Sequence, residues 1–413
     1  MGVAAMRRLE VRLDWGDGDP RTVGTLADLE RRTLFEFDPA FLREPLPLSP
    51  FKLPVRPGVH EDADRTFAGL FGVFDDSLPD GWGRLLMDRA FERAGVRRDQ
   101  VTPLDRLAYL HTRAMGALTY HPPADVAEAN DAPLDLTTLA QHAERIAAGS
   151  AEEVLPALYR VGGSPGGARP KVLLWVGPGD HLVAGTDEAP TGYVPYLVKF
   201  GARDDEPVMG RVEAAYARMA RDAGLDVPAT RTFTTSDGVV YFATRRFDRL
   251  GDARLHMHTL GGLLHASHRV PSAGYEAFLR ATRALTRDET MVIEAYRRMA
   301  FNVLAHNRDD HVKNQSFLMD AAGEWRLAPA YDLVPSTGIN GWHSMDVAGE
   351  ARTPGVDDMV RLAAATAVDQ DHARAAIERV RDAVHAWPRH ADAEGVPRAE
   401  TERIATLHRS AAV

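Results

Sequence analysis

The stretch His306–Asp332, HNRDDHVKNQSFLMDAAGEWRLAPAYD, decides the fold. Within it Asp309 and Asn314 are separated by four residues, and a lone carboxylate, Asp332, follows two short β-like runs, Gln315 to Met319 and Trp325 to Pro329. The turn Asp320-Ala-Ala-Gly-Glu324 between those runs predicts a hairpin that brings Asp332 back to face the loop. One carboxylate to orient and deprotonate a hydroxyl, plus an amide and a further carboxylate to hold magnesium against phosphates, is the set that phosphoryl transfer from ATP requires. A solvated turn with an Asx cap carries Asp and Asn at similar spacing. The flanking sequence therefore decides between the two.

Upstream, Val292, Ala295, Tyr296, Met299, Ala300, Val303 and Leu304 recur with helical periodicity, which places the loop at the C-terminal end of a buried helix. Further back, VGGSPGGARPKVLLWV combines a glycine-dense turn, whose backbone amides can approach phosphate oxygens, with a β-like run from Val172 to Val176. It is neither a Walker A loop nor a strict G-x-G-x-x-G, and a plain hairpin turn has the same composition. Next, YVPYLVKF ends in Lys199, a charge that is costly to bury unpaired. Glu213 opens the following helical pattern, whose apolar face is Val212, Ala215, Tyr216, Met219 and Ala220 and which Gly224 and Pro228 close. A lysine on a strand and a glutamate on the next helix is the protein-kinase arrangement. TRTFTTSDGVVYFATRRFDR then reads as a hairpin turning at Ser236-Asp237-Gly238 and running into Arg245-Arg246-Phe247, where a connection beside adenine is expected. The order is glycine loop, lysine, glutamate, hairpin, connector, helices, Asp-x4-Asn, hairpin and Asp, with YDL in place of DFG.

At these residues the chain resembles the HipA-type toxin kinases of bacterial toxin–antitoxin systems. The resemblance lies in SPGGARPK, VKF, the Glu213 helix, ATRRFDR, DDHVKN and APAYDL, and extends to FDPAFL, PLSPFKLPV, FDDSLPDGWGR and RLAYL with MGALTY. It implies a two-lobed α+β kinase-like fold with an N-terminal α+β subdomain and a helical C-terminal lobe. It also implies an ATP- and magnesium-dependent serine/threonine kinase acting on a translation-related protein, such as a translation factor or an aminoacyl-tRNA synthetase. A small helix-turn-helix antitoxin would neutralise it and place it on operator DNA. On this chain Asp309 would be the catalytic base, Asn314 and Asp332 the magnesium ligands, and Lys199 the phosphate-binding lysine paired with Glu213. Gly166, Gly167, Ala168, Arg169, Pro170 and Lys171 would form the phosphate loop, and Arg245, Arg246 and Phe247 would flank adenine mainly through backbone groups. Tyr331, in APAYDL, joins the ATP-binding set. Ser164 aligns with a regulatory autophosphorylation serine; a phosphate there would compete with those of ATP for the same amides.

The chain departs from the family in places. Asp310 stands where some members have glycine, so two adjacent carboxylates compete as base, and only Asp309 keeps the four-residue gap to Asn314. Lys313 is placed to donate to the γ-phosphate, and His311 to orient the loop or contact phosphate. Arg245 replaces a glutamate found in some connectors. A rival reading makes Asp309, Asp310, His311 and Asp332 a two-metal phosphohydrolase site, but leaves the glycine loop, Lys199 and Glu213 without roles. Another makes the chain a noncatalytic, antitoxin-bound corepressor.

Composition agrees with the kinase reading. The 413 residues suffice for about three folding units, expected at 1–125, 126–250 and 251–413. With 49 Lys plus Arg against 59 Asp plus Glu, the net charge of -10 disfavours nonspecific nucleic-acid binding, so DNA attachment is expected only through a partner. The absence of cysteine excludes disulfides, thiolate catalysis and cysteine-ligated zinc. No signal peptide or long apolar span is evident, so a cytoplasmic location and no membrane partner are expected. Leu9 to Trp15, Arg21 to Leu26 and Arg32 to Phe37 read as strands, Trp82 to Ala94 as a helix, PADVAEANDAPLDL from Pro123 as a linker, and AAIERVRDAVHAW as an amphipathic helix. His256, His258, His265 and His268 match no standard metal spacing and are expected on a helical surface.

Overall fold

The structure is a computed structural model that describes residues 8–29, 32–124, 136–147, 158, 169–184, 190–201, 208–235 and 238–411. Most of the expected linker, the glycine loop up to Ala168 with Ser164, and the Ser236-Asp237 part of the expected turn lie outside the described residues. The chain forms two compact units. One takes the chain up to Pro207 together with Phe233–His258 and Met319–Gly323; the other takes Val208–Thr232, Thr259–Leu318 and the chain from Glu324 onward.

The first unit contains one five-stranded sheet and most of a second, of which Thr230–Thr232 fall in the other unit. In the first, β1 (Arg8–Leu13), β2 (Arg21–Leu29), β3 (Arg32–Phe37), β4 (Val59–Glu61) and β5 (Leu118–His121) pair antiparallel in the order β4-β3-β2-β1-β5. Strict alternation along β1 turns Leu9, Val11 and Leu13 inward, each fully buried. The strand stops at Leu13, short of the expected Trp15. The helix Gly81–Arg93 contributes Trp82 and Leu86 to a core shared with the second sheet, and the Trp82 indole N–H donates to the Lys171 carbonyl at 2.9 Å. That second sheet contains β6 (Lys171–Val176), β7 (Leu182–Ala184), β8 (Val194–Lys199), β9 (Thr230–Thr234) and β10 (Val240–Arg245) in the order β7-β6-β8-β10-β9. A ribbon, β11 (Arg249–Leu250) with β12 (Ala253–Arg254), and strand β13 (His256–Thr259) follow.

The second unit is mostly helical. Val212, Ala215, Tyr216, Met219 and Ala220, the apolar face read from the sequence, are all fully buried on the helix Met209–Asp222. Glu213 is the fifth residue of that helix and does not open it. The helix Glu289–Leu304 likewise buries Val292, Ala295, Tyr296, Met299, Ala300, Val303 and Leu304. Strand β14 (Ser316–Met319) pairs with β15 (Trp325–Leu327), each slightly shorter than expected. Of the tail segment AAIERVRDAVHAW, the part up to His385 lies on the helix Gln370–His385, while Ala386 caps it and Trp387 opens the next helix, Trp387–Ala393, before Arg398–Ala411. The chain thus has the α+β, kinase-like fold class: a five-stranded sheet carrying a lysine on its third strand, a glutamate on the helix that follows, and a mostly helical second unit. No described helix is long and apolar enough to cross a membrane.

The histidine cluster differs from its expected place. His256 and His258 lie on β13, not on a helix, and both are fully buried. His258 Nδ1 donates to Asp76 Oδ2 at 2.5 Å while its Nε2 bonds Ser49 Oγ at 3.0 Å. This is the bonding order of a nucleophilic triad, but at 1% exposure Ser49 is closed off from solvent. The three residues instead tie PLSPFKLPV to β13. His256 Nε2 donates to the Leu48 carbonyl at 2.9 Å.

Burial pulls the pKa of His256 down to about 3, helped by the neighbouring His258, and burial does the same to His408, helped by His306. Both imidazoles stay neutral in the folded state although they charge near 6.5 when exposed. A depressed folded pKa gives stability that is complete above the unfolded value and is lost as pH falls below it. At pH 5 each histidine should cost about 2 kcal/mol relative to pH 8. One lies in each unit. Calorimetry at the two pH values should show both units melting earlier at pH 5; an unchanged melting profile contradicts the assignment.

Candidate active site

Helix Glu289–Leu304 delivers the loop. Asp288 caps its N-terminus, accepting from the Thr290 N–H. At its other end His306 takes a left-handed conformation (φ 55°), its N–H bonds Val303 O, and Asn307 N–H bonds Asn302 O. This is a Schellman closure with histidine where glycine is usual. The Tyr216 hydroxyl donates to Ala305 O at 2.8 Å and bonds His408 Nε2 at 2.8 Å, which satisfies a carbonyl that the helix end leaves open.

The loop that emerges separates its two carboxylates. The Asp309 side chain is 58% exposed, and His311 Nε2 stands 4.0 Å from its Oδ1. Asp310 is fully buried, accepting from the Tyr275 hydroxyl (2.7 Å), His343 Nδ1 (2.9 Å) and the Ser344 N–H (2.8 Å). Asn314 closes a short 3₁₀ turn, Val312–Asn314, and its Nδ2 donates to Asp309 O at 2.8 Å. That bond spans the four intervening residues and leaves the amide oxygen available as a ligand. Val312 anchors the turn against Gly261 of the helix Leu260–Leu264, where an added Cβ would meet Val312 Cγ2 at 3.1 Å.

Asp332 follows β15 with φ 57°, a left-handed value uncommon for a residue other than glycine. Asn307 Nδ2 reaches its carbonyl at 3.5 Å and also donates to Asn302 Oδ1 at 3.0 Å, joining the two halves of the site. Tyr331 bonds Lys313 O at 2.6 Å and Ser316 Oγ at 2.5 Å, so its hydroxyl braces the Asn314 turn. The donor set available for a metal is an amide oxygen held by its own nitrogen and a half-buried carboxylate. Such hard oxygen ligands fit magnesium, which keeps waters and phosphate oxygens in its remaining positions.

The other residues read from the sequence divide between the units. Lys199 ends β8 in the first unit, and Glu213, buried, lies in the second. Lys199 stands directly opposite Lys171 across the β6–β8 ladder, so two like charges share one sheet face. Pro170 O accepts from Phe200 N–H, and Arg169 immediately precedes it. Arg245 ends β10, Arg246 N–H bonds Pro195 O, and the Arg246 guanidinium is paired with the buried Asp248 at 2.7 Å. Ser164, Gly166, Gly167 and Ala168 lie outside the described residues. Tyr275, Asn302, Asn307, His343 and Ser344 were not found by sequence reasoning. Asn307 sits inside the diagnostic stretch, and only its polarity near a helix end could have drawn notice.

The model of the HipA-like C-terminal domain matches residues 163–387, and that of the HipA N-terminal domain matches residues 17–121. The toxin YjjJ of Escherichia coli K12 is 27% identical over 182 residues, which cover 42% of this chain and 38% of that protein's length. A chain from the complex of HipA, HipB and operator DNA of Shewanella oneidensis MR-1 superposes with a TM-score of 0.70 at 17% identity, covering 98% of this chain and 95% of the other. At that identity the superposition speaks for the fold.

Proposed function

Because the chain belongs to the HipA family, its C-terminal domain model spanning more than half of it, we propose that it is an ATP- and magnesium-dependent serine/threonine protein kinase and the toxin of a toxin–antitoxin pair. The observation that carries the reading is the loop itself: an exposed Asp309 whose own carbonyl holds Asn314, with Asp332 linked to the same loop through Asn307. In this reading Asp309 accepts the proton of the acceptor hydroxyl as its oxygen attacks the γ-phosphorus and the bond to the bridging oxygen breaks to release ADP, and the Asn314 amide oxygen and Asp332 carboxylate would hold magnesium. The ion supplies charge neutralisation and alignment of the phosphate oxygens. Lys199 and Lys171, opposed on one sheet face, contact phosphate oxygens. Ser164 is the site of regulatory autophosphorylation.

The two-metal hydrolase is the weaker reading. It needs Asp310 as a ligand, and both oxygens of that carboxylate are already engaged by protein donors. The partners proposed are a helix-turn-helix antitoxin, through which DNA is reached, and a translation-related acceptor protein in the cytoplasm. The solved neighbour that contains HipB and operator DNA supports the antitoxin.

The test is incubation of purified protein with γ-labelled ATP and magnesium. Label on protein serine or threonine is expected. Free phosphate alone supports the hydrolase, and neither product supports a noncatalytic corepressor.

A further inference from the structure

Asp310 has no solvent-exposed surface, yet it keeps a carboxylate whose burial is costly unless its oxygens are fully bonded. The bonds come from two separate segments. Tyr275 stands at the start of the helix Tyr275–Thr286, and His343 with Ser344 lies in the chain that follows the Asp332 turn. Around this centre a closed circuit runs. Asn302 Nδ2 donates to the Tyr275 hydroxyl at 2.9 Å, Asn307 Nδ2 donates to Asn302 Oδ1, and the same Asn307 group reaches the Asp332 carbonyl. On the other side Ser344 Oγ donates to Arg308 O at 3.2 Å, and Arg308 Nη1 donates to Gly341 O at 2.6 Å. Asp309 is therefore flanked by two residues fixed to the same 341–344 segment. Burial, reinforced by the Asp310 charge, raises the Tyr275 pKa, so its hydroxyl remains a proton donor in this circuit.

We propose that Asp310 is a positioning residue: its buried carboxylate clasps Tyr275, His343 and Ser344 so that the neighbouring Asp309 carboxylate is aimed outward in fixed register with Asp332. A residue of smaller side chain at this position would leave the loop backbone to find its own orientation. The aspartate ties that orientation to Tyr275 and the 341–344 segment and, through Asn302 and Asn307, to the Asp332 backbone. The inference rests on the phosphotransfer reading for its effect on rate, but the clasp itself does not.

Three variants test it. Asp310→Ala should lower kcat about 100-fold while KM for ATP moves less than about threefold, because misplacing the base harms the chemical step and not nucleotide binding. Asp310→Asn retains an acceptor for the Ser344 N–H and should recover about tenfold of that loss. Tyr275→Phe, which removes one hydroxyl and no volume of the ring, should reduce kcat about tenfold without loss of folding. Equal kcat in wild type and Tyr275→Phe, or KM rising in step with the fall in kcat, overturns the proposal. Hydrogen exchange gives a readout free of activity. Asp310→Ala, or Tyr275→Phe should the alanine variant not fold, should speed exchange of amides at 307–314 and 341–347 while 292–303 stays as protected as in wild type. Unchanged exchange at 307–314 overturns the clasp even if the wild type transfers no phosphate, and absence of wild-type transfer counts against the kinase reading alone.

Discussion

Replacing Asp309 by asparagine should lower phosphotransfer by about three orders of magnitude and leave nucleotide affinity nearly unchanged. A positioned general base contributes roughly 10²–10⁴ to rate, and asparagine removes its basic oxygen at constant size. The substitution is also conservative for the scaffold. The contact that holds Asn314 uses the backbone carbonyl of residue 309, which the change leaves intact. With the side chain more than half exposed, little packing is lost. Single-turnover transfer of γ-label to an acceptor protein, alongside equilibrium binding of an ATP analogue, separates the two quantities. Retained transfer in Asp309→Asn would remove the assigned base, and the neighbouring Asp310, both of whose oxygens are bonded, is poorly placed to inherit the role.

The second large effect is expected at Asp332. Its left-handed backbone makes alanine a poor probe, because alanine loses, along with the charge, the short polar side chain that lets aspartate hold φ 57°. Asparagine tolerates that conformation and preserves size, so Asp332→Asn isolates the carboxylate. It should abolish the magnesium dependence of ATP binding and reduce transfer by about 10²–10³-fold, with the melting temperature within about 2 °C of wild type. Titration of an ATP analogue with and without magnesium reads the first effect directly. A variant whose binding still strengthens with magnesium as in wild type would show that Asp332 is not a ligand.

Much of this organisation was legible before any coordinates. The helical faces at Val212–Ala220 and Val292–Leu304 were readable because burial on a helix imposes a 3.6-residue period that survives any detail of packing. That Asp309, Asn314 and Asp332 would share one hydrogen-bonded loop region was readable because their proximity depends on short-range spacing and on one hairpin. Contacts set by long-range register were not. Lys171 and Lys199 face each other through a strand pairing that neither strand encodes alone. The partners of Asp310 lie 33 to 35 residues away in both directions, so nothing near it distinguishes a buried hub from a solvated turn. The histidines failed for a different reason. HMHT alternates with period two, but the adjoining LGGLL forms a short helix capped by Thr259, and reading the two as one segment extended the helix over a strand.

The most direct test of the account is diffraction at the manganese edge from crystals grown with Mn²⁺ and a nonhydrolysable ATP analogue. The account predicts an anomalous peak about 2.1 Å from the Asn314 amide oxygen and from a carboxylate oxygen of Asp332, touching the nucleotide's phosphates, with the Asp309 carboxylate facing the γ-phosphate. A nucleotide bound with its metal away from Asn314 and Asp332 would contradict it.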